Sequence, residues 1–100
     1  MNKIKILAIT GAVREDSQTT KLAHISKKYF RHENVEYTVF DLRKTPLPMY
    51  DAKESLNNFN VQRLLNIAKE ADGLVFISPE YHGSMSGALK NAIDWLDYLE

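Results

Sequence analysis

The chain has 100 residues, of which 44% are apolar, and its 13 basic and 13 acidic side chains give a formal net charge of zero. That size and composition are typical of one globular domain rather than a disordered chain, and the balanced charge argues against a nucleic-acid-binding protein, which usually carries a basic excess. The sequence contains no cysteine, so a disulfide, a thiol nucleophile and a thiolate metal site are excluded, and any redox chemistry would need a bound cofactor.

The chain opens on a short apolar segment, residues 4–9, which is better explained as a strand than as a targeting signal. It lacks the sustained apolar stretch and the small-residue cleavage site of a secretory signal. No run of about 20 apolar residues exists that could span a membrane. We therefore expect a cytoplasmic protein without a membrane partner.

Strand-like and helix-like segments alternate along the first half of the chain. Residues 3–10, KIKILAIT, favour a strand, and residues 19–32 favour a helix. Residues 35–40, VEYTVF, alternate with a period of two, which is typical of a strand with one less protected side, at the edge of a sheet. The predicted first helix carries these apolar residues at helical spacing: Leu22, Ile25, Tyr29 and Phe30.

A long connection, residues 41–58, leads to the second predicted helix. Pro46 and Pro48 prevent a helix within it, because proline lacks an N–H group and fixes φ. Asn57 or Asn58 is placed to cap the helix that follows. The apolar stripe predicted for this helix consists of Val61, Leu64, Leu65 and Ala68.

The second helix is expected to end at Asp72 and Gly73, and a third strand follows. Residues 74–77 are apolar at every position, which indicates a strand buried on both faces in the interior of a sheet. Trp95, in the last predicted helix, is expected to pack in the core or to lie at an oligomer surface. The apolar side of that helix consists of Met85, Leu89, Ala92, Ile93, Leu96 and Leu99.

The order of these elements, β-α-β-α-β-α, predicts right-handed crossovers and a parallel sheet. Open α/β sheets bind ligands beyond the carboxyl ends of their strands, where the strand order reverses. The loops that follow Thr10 and Ser78 would meet there. We therefore expect a ligand site between these two loops.

The first loop, TGAVREDSQTTKLA, has the features of a phosphate-binding turn. Gly11 permits a tight exit from the strand, and Ser17 and Thr19 bring hydroxyl and N–H groups to a helix start, where the dipole favours an anion. Arg14 has the geometry to donate two hydrogen bonds to a phosphate. The alternative is that Ser17 only caps the helix, and spacing alone does not decide between the two.

Other phosphate-binding motifs do not fit this loop. A dinucleotide-binding fingerprint needs G-x-G-x-x-G, of which only Gly11 is present, and a P-loop needs Gly-Lys-Ser/Thr, which does not occur. Thr10 and Ser78 stand where a phospho-receiver domain would carry an aspartate.

The second loop, SPEYHGS, has the features of a surface for a flat ring. Pro79 stiffens the exit from the strand, Tyr81 offers a planar apolar face, and Gly83 bends the chain so that backbone N–H groups face outward. A planar heterocycle with carbonyl groups and ring nitrogens would suit such a surface. The alternative is a surface loop that caps the last helix through Ser84 or Ser86, with Tyr81 as a packing residue.

These two loops resemble the NADPH-dependent FMN reductase family, which has a flavodoxin-like fold. GAVREDSQTTKLA is similar to the phosphate loop of the family, G-S-x-R-x-x-S-x-[NT]. PEYHGSMSGALKNAIDWL is similar to the flavin-ring loop and the helix after it, P-E-Y-N-x-x-x-x-G-x-L-K-N-A-[IL]-D. DLRKTPLPMYD resembles the segment after the second strand, and the Tyr-His pair with MSGALKNA resembles the azobenzene or quinone reductase branch.

The resemblance implies a non-covalently bound FMN that NADPH reduces and that passes electrons to a quinone, an azo compound, a metal oxyanion or a free flavin. It implies no catalytic acid, base, nucleophile or metal, because the cofactor carries out the chemistry. Met49 and Tyr50 would border the open face on which nicotinamide stacks. The implied FMN-binding residues are Gly11, Arg14, Ser17 and Thr19 at the phosphate and Pro79, Glu80, Tyr81, His82 and Gly83 at the ring.

The family is commonly dimeric or tetrameric, so the resemblance also implies a homodimer or homotetramer that acts on a small-molecule electron acceptor. A flavodoxin-like module that binds a nucleotide or carries electrons without turnover remains an alternative, as does a fragment that binds no cofactor.

The sequence departs from the family pattern at three points. Ala12 replaces the usual serine, His82 replaces the common asparagine, and the sequence stops at Glu100 where the family continues through two more strands and helices. The resemblance therefore implies a flavodoxin-like three-layer parallel sheet in which residues 1–100 supply only the first three β-α units of the FMN-binding domain. The third strand would then have a bare edge, which a longer chain or another chain would complete.

Overall fold

A computed structural model describes residues 3–11, 18–29, 34–51, 55–79 and 86–99 of the chain. Three strands in these ranges form one parallel sheet in the order β2-β1-β3. None of the helices in the same ranges is long and apolar enough to cross a bilayer. The elements in chain order are β1 (Ile4–Thr10), α1 (Gln18–Tyr29), β2 (Val35–Asp41), α2 (Phe59–Glu70), β3 (Gly73–Ile77), α3 (Gly87–Leu96) and a 3-10 helix (Asp97–Leu99).

β1 is the central strand, and its register fixes where the three strands end. It pairs with β2 as far as Thr10 and Asp41, and with β3 as far as Thr10 and Ile77. Because the strands are parallel, their carboxyl ends lie at one edge of the sheet. The predicted parallel α/β arrangement, with the second strand at an edge, is confirmed.

The helices cover both faces of the sheet, which gives three layers. Leu7 and Ile9 point to one face, where they share a core cluster with α2 and α3. Tyr37 is in register with Ile6, so it lies on the opposite face, where its side chain is close to Ser26 of α1.

The main core lies between the sheet and helices α2 and α3. The side chain of Trp95 is fully buried in this core, so of the two expectations for Trp95 the packing role is confirmed. The burial of so large an apolar side chain stabilises the fold by about 1.5–3 kcal/mol relative to its exposure. The predicted stripe of α2 is buried as expected, and the helix residues buried here are Val61, Leu64, Leu65, Ala68, Leu89, Ala92 and Trp95.

The predicted apolar stripe of α1 is not buried in the structure. Leu22 is 53% exposed, Ile25 is 49% exposed and Tyr29 is 85% exposed, whereas Ala23 is fully buried. α1 therefore approaches the sheet through a small side chain, and no described element covers its larger apolar residues. Phe30, the last residue of the predicted stripe, lies outside the described residues.

β3 is an edge strand, so the prediction of an interior strand buried on both faces is wrong. Leu74 is 43% exposed and Phe76 is 44% exposed. The reason is that β3 pairs with β1 along one edge only, and its other edge has no strand partner among the described residues. The bare edge expected for the third strand is confirmed.

Candidate functional site

The first loop and the third strand are joined at the carboxyl edge of the sheet. The backbone N–H of Gly11 donates a hydrogen bond of 2.8 Å to the carbonyl oxygen of Ile77. The hydroxyl of Ser86 donates one of 2.8 Å to the carbonyl oxygen of Gly11 and accepts one of 3.1 Å from the backbone N–H of Leu89. The exit of β1, the end of β3 and the start of α3 are therefore fixed to one another.

Gly11 is required at this junction because the side chains of Ser86 and Leu89 approach it closely. A Cβ atom at this position would lie 2.5 Å from the Ser86 hydroxyl oxygen and 2.8 Å from the Leu89 Cβ atom, and the φ angle of Gly11 lies outside the left-handed region. The sequence predicts a tight exit from the strand at Gly11, whereas the contacts of Gly11 show a close approach by two side chains. Its role in the structure is to permit contact between β1 and α3.

The hydroxyl of Ser78 ties together the two ends of the second loop. It accepts a hydrogen bond of 2.8 Å from the backbone N–H of Ser86 and donates one of 2.9 Å to the carbonyl oxygen of Pro79. The sequence predicted Ser84 or Ser86 as the cap of this helix, and Ser86 is the N-cap of α3. Ser84 lies outside the described residues. The base of the second loop is thus held at the same edge as Gly11.

Two buried polar atoms at this edge lack a hydrogen-bond partner among the described residues. They are the hydroxyl oxygen of Thr10 and one carboxylate oxygen, Oδ2, of Asp41, and the two residues are in register across β1 and β2. The other carboxylate oxygen of Asp41 accepts a hydrogen bond of 2.9 Å from the backbone N–H of Arg43. A buried polar group without a partner typically costs about 1–3 kcal/mol, so the edge has hydrogen-bonding capacity for a ligand.

Asp41 was missed by the sequence analysis. The signal that could have found it is a carboxylate at the last position of a strand, which lies at the carboxyl edge of the sheet. Its partner Thr10 was considered only as a residue that replaces an aspartate.

Two helices begin at the same edge. Because the strands are parallel, α1 and α3, which follow β1 and β3, both start at the carboxyl edge, and the N-terminus of a helix favours an anion. Thr19 lies in the first turn of α1, although its side chain is outside the part that the structure describes.

The structure therefore brings together the described members of the predicted FMN-binding set. Gly11 and Pro79 both lie at the carboxyl edge of the sheet. The backbone of Gly11 is hydrogen-bonded to Ile77, which lies two positions before Pro79. The roles of all of these residues in FMN binding stay predictions. The members that lie outside the described residues are Arg14, Ser17, Glu80, Tyr81, His82 and Gly83.

The long connection packs against α3. The ring of Tyr50 makes an edge-on contact with the ring of Trp95, with centroids 4.9 Å apart, whereas Met49 is 79% exposed. Of the two residues predicted to border the nicotinamide, Tyr50 is thus engaged with α3, and Met49 is available to a ligand.

Comparison with known proteins gives a consistent result. The sequence model of the family described as NADPH-dependent FMN reductase matches residues 4–100. The FMN-dependent NADPH-azoreductase of Staphylococcus saprophyticus is 40% identical over an alignment of 99 residues that covers 93% of this chain and 52% of that protein. The NADPH azoreductase of Bacillus sp. strain OY1-2 is 37% identical over an alignment of 98 residues that covers 97% of this chain and 52% of that protein.

A solved structure has the same fold. The flavoenzyme NAD(P)H:(acceptor) oxidoreductase FerB of Paracoccus denitrificans superposes with a TM-score of 0.77 and 30% identity, over 92% of this chain and 50% of that one. The chain therefore spans about half the length of the relatives it matches, and the flavodoxin-like α/β fold expected from the sequence is confirmed.

Proposed function

Because this chain belongs to the NADPH-dependent FMN reductase family, we propose that it binds FMN and serves an NADPH-dependent oxidoreductase of the azoreductase type. The observation that carries the proposal is the junction of Gly11, Ser86 and Ser78, which fixes the bases of both ligand loops at one edge. Electrons from NADPH would pass through FMN to a quinone, an azo compound, a metal oxyanion or a flavin. The names of the relatives favour an azo compound.

The described residues at the carboxyl edge fit FMN. The partnerless Thr10 hydroxyl is able to donate or accept a hydrogen bond, and the partnerless oxygen of Asp41 accepts one. The carboxylate of Asp41 would repel the phosphate of FMN, but it can accept hydrogen bonds from the hydroxyl groups of the ribityl chain of FMN. The N-terminus of α1 suits the phosphate. FMN would be held by Gly11 and Thr19 on the phosphate side and by Pro79 on the ring side, together with the six proposed residues outside the described ranges.

Bound FMN would supply hydride and electron transfer. The chain itself would then bind and orient the cofactor, and we propose no catalytic acid, base, nucleophile or metal ligand. The fixed junction at Gly11 serves this role, because a preformed site avoids the cost of ordering loops when the ligand binds.

Further polypeptide is proposed to complete the sheet beside β3, either from a longer form of this protein or from another chain. Support comes from Leu74 and Phe76, which are more than 40% exposed on an unpaired strand edge, and from relatives of about twice the length. The same proposal includes a homodimer or homotetramer in the cytoplasm. It includes no nucleic-acid partner and no membrane partner, and the zero net charge supports the absence of a nucleic-acid partner.

Absorption and turnover of the purified protein test the proposal. We expect flavin absorption bands after FMN is added and the excess removed, and FMN-dependent oxidation of NADPH with an azo compound. Flavin binding without NADPH oxidation would support an electron carrier or nucleotide-binding module instead. Absence of flavin binding would contradict the cofactor site itself.

A further inference from the structure

The hydroxyl of Ser78 is used twice, once as an acceptor and once as a donor. It accepts a hydrogen bond of 2.8 Å from the backbone N–H of Ser86 and donates one of 2.9 Å to the carbonyl oxygen of Pro79. Because a hydroxyl has one hydrogen to donate, the hydrogen of this group points to Pro79. Alanine at this position would offer neither function, whereas threonine would keep both.

The bond to Pro79 fixes the direction in which the chain leaves β3. The pyrrolidine ring fixes the φ angle of Pro79. The hydrogen bond from Ser78 to the carbonyl oxygen of Pro79 fixes the orientation of that carbonyl group, which the ψ angle determines. Both backbone dihedral angles of Pro79 are therefore constrained, although this residue lies outside the helices and strands.

The other end of the second loop is held at Ser86. This residue is 2% exposed, its backbone N–H donates to Ser78, and its hydroxyl donates to the carbonyl oxygen of Gly11. Ser86 also caps α3, a helix that is anchored in the core by the buried side chain of Trp95. Ser78 therefore ties the exit of β3 to a fixed point and closes the base of the second loop.

Ser78 lies beside the first loop but supports only the second. A Cβ atom at Gly11 would lie 3.5 Å from the Ser78 hydroxyl oxygen, which is an ordinary van der Waals distance. Within the described part of the chain, the hydrogen bonds of this hydroxyl go to Pro79 and Ser86. Loss of the Ser78 hydroxyl should therefore loosen the second loop and leave the exit of β1 in place.

We propose that Ser78 is a positioning residue that holds the second loop in the conformation that receives the ring of FMN. This inference rests on the proposed FMN-binding function and adds a residue that is not among the predicted FMN contacts. Ser78 acts through Pro79 and Ser86 rather than through a contact with the cofactor. A loop whose two ends are already fixed loses less conformational entropy when a ligand binds, so this hydroxyl favours affinity on the ring side.

Titrations with FMN and with riboflavin, followed by flavin fluorescence, test the effect of Ser78 on affinity. Riboflavin has the same ring but lacks the phosphate, so it reports the ring side alone. We expect Ser78→Ala to raise both dissociation constants by the same factor, about three- to tenfold, the range that corresponds to one hydrogen bond. Ser78→Thr should restore both constants, because threonine keeps the hydroxyl.

Ser55→Ala, which removes an exposed hydroxyl, is the control and should leave both dissociation constants unchanged. Equal constants for wild type and Ser78→Ala would overturn the proposal. A loss of affinity for FMN without a loss for riboflavin would also overturn it, because the effect would then lie on the phosphate side.

Limited proteolysis in the absence of flavin separates a local role of Ser78 from a general loss of stability. Chymotrypsin cleaves after aromatic residues, and the sequence places Tyr81 between the two ends of the second loop, whereas Tyr50 packs against α3. Cleavage of a folded protein reports local opening. We expect Ser78→Ala to speed cleavage after Tyr81 about three- to tenfold and to leave cleavage after Tyr50 unchanged, as measured by mass spectrometry. Equal acceleration at both sites would assign Ser78 a structural role only.

The two proposals fail in different ways. If Ser78→Ala weakens the binding of both flavins but wild type does not oxidise NADPH, the reductase function is wrong and the role of Ser78 stands. If wild type oxidises NADPH with FMN bound and Ser78→Ala binds both flavins normally, the reductase function stands and this inference is wrong. A wild-type protein that binds neither flavin would contradict both.

Discussion

The hydroxyl of Ser86 donates a hydrogen bond of 2.8 Å to the carbonyl oxygen of Gly11, a residue 75 positions away in the sequence. The bond joins the exit of the first strand to the start of the third helix. Because each ligand loop begins or ends at this bond, damage to it should affect stability and cofactor binding together.

Gly11→Ala should destabilise the protein, because the added Cβ atom would lie 2.5 Å from the Ser86 hydroxyl oxygen and 2.8 Å from the Leu89 Cβ atom. Overpacking of this kind costs about 1–3 kcal/mol. Urea denaturation followed by Trp95 fluorescence measures the loss, and a flavin fluorescence titration should show weaker FMN binding.

Gly87→Ala is the matched control for that substitution. A Cβ atom at Gly87 would meet no other atom within 4 Å, and alanine is the better helix former. Its stability and FMN affinity should equal or exceed those of wild type. Equal losses in the two variants would show that the contact with Ser86 is not what requires glycine at position 11.

Ser86→Ala removes both the bond to Gly11 and the helix cap of Leu89. Loss of an N-cap costs about 0.5–2 kcal/mol, and the buried carbonyl of Gly11 would lose its hydroxyl donor. We expect a loss of unfolding free energy of about 2 kcal/mol in urea denaturation. Ser55→Ala is the control, because it removes an exposed hydrogen bond from the Ser55 hydroxyl to Asp51. It should lower the unfolding free energy by less than about 0.5 kcal/mol. A small effect of Ser86→Ala would mean that the junction does not hold the edge together.

The parts of the fold that were predicted correctly depend on short-range patterns. Asn58 caps α2 through bonds to Asn60 and Val61, and the buried stripe of α2 follows from helical spacing over a sheet that is present beneath it. The exposure of Leu74 and Phe76 in β3 depends instead on what pairs with the other edge of that strand, and the exposure of the apolar residues of α1 depends on what covers that helix. No periodicity within the segment could reveal that.

The site residues show the same division. Gly11 and Pro79 were proposed as site residues because glycine and proline have distinctive backbone conformations. Asp41 gains its meaning from its register with Thr10, and Ser86 gains its meaning from a contact with Gly11, 75 positions away. Such contacts exist only after the chain has folded, so single-sequence reasoning could not assign them.

Thr10→Val should stabilise the protein in the absence of FMN and weaken FMN binding. The hydroxyl of Thr10 is buried without a partner among the described residues, and its replacement by a methyl group of similar shape removes a desolvation cost of about 1–3 kcal/mol. Urea denaturation and flavin titration should therefore move in opposite directions. Thr38→Val, a partly exposed position on β2, is the control. A destabilised Thr10→Val would show that the hydroxyl already has a partner.

Phe76→Lys should prevent self-association of the 100-residue chain. An unpaired strand edge flanked by apolar side chains favours pairing with another chain, and a lysine on the edge opposes it. Size-exclusion chromatography with light scattering should give a mass above 11.5 kDa for wild type and the single-chain mass for Phe76→Lys. Phe59→Lys, at a residue 79% exposed on α2, should behave as wild type. A strictly monomeric and stable wild-type chain would contradict completion of the sheet beside β3.

Tyr37 should make stability fall in alkaline solution. Burial raises the pKa of Tyr37 above its ordinary value of 10.0, and the nearby side chain of Ser26 partly lowers it. The folded protein therefore retains the phenol proton more strongly than the unfolded chain does. The resulting stability is fully present below the unfolded pKa and is lost as the pH rises through the folded pKa.

Urea denaturation between pH 8 and pH 11 measures this loss, and absorption of tyrosinate at 295 nm reports the titration. Tyr37→Phe should flatten the decline above about pH 10. Tyr29→Phe, at a residue 85% exposed, should keep the wild-type pH dependence. If Tyr37→Phe declines as steeply as wild type, another group controls the alkaline limit, because a phenylalanine has no proton to lose.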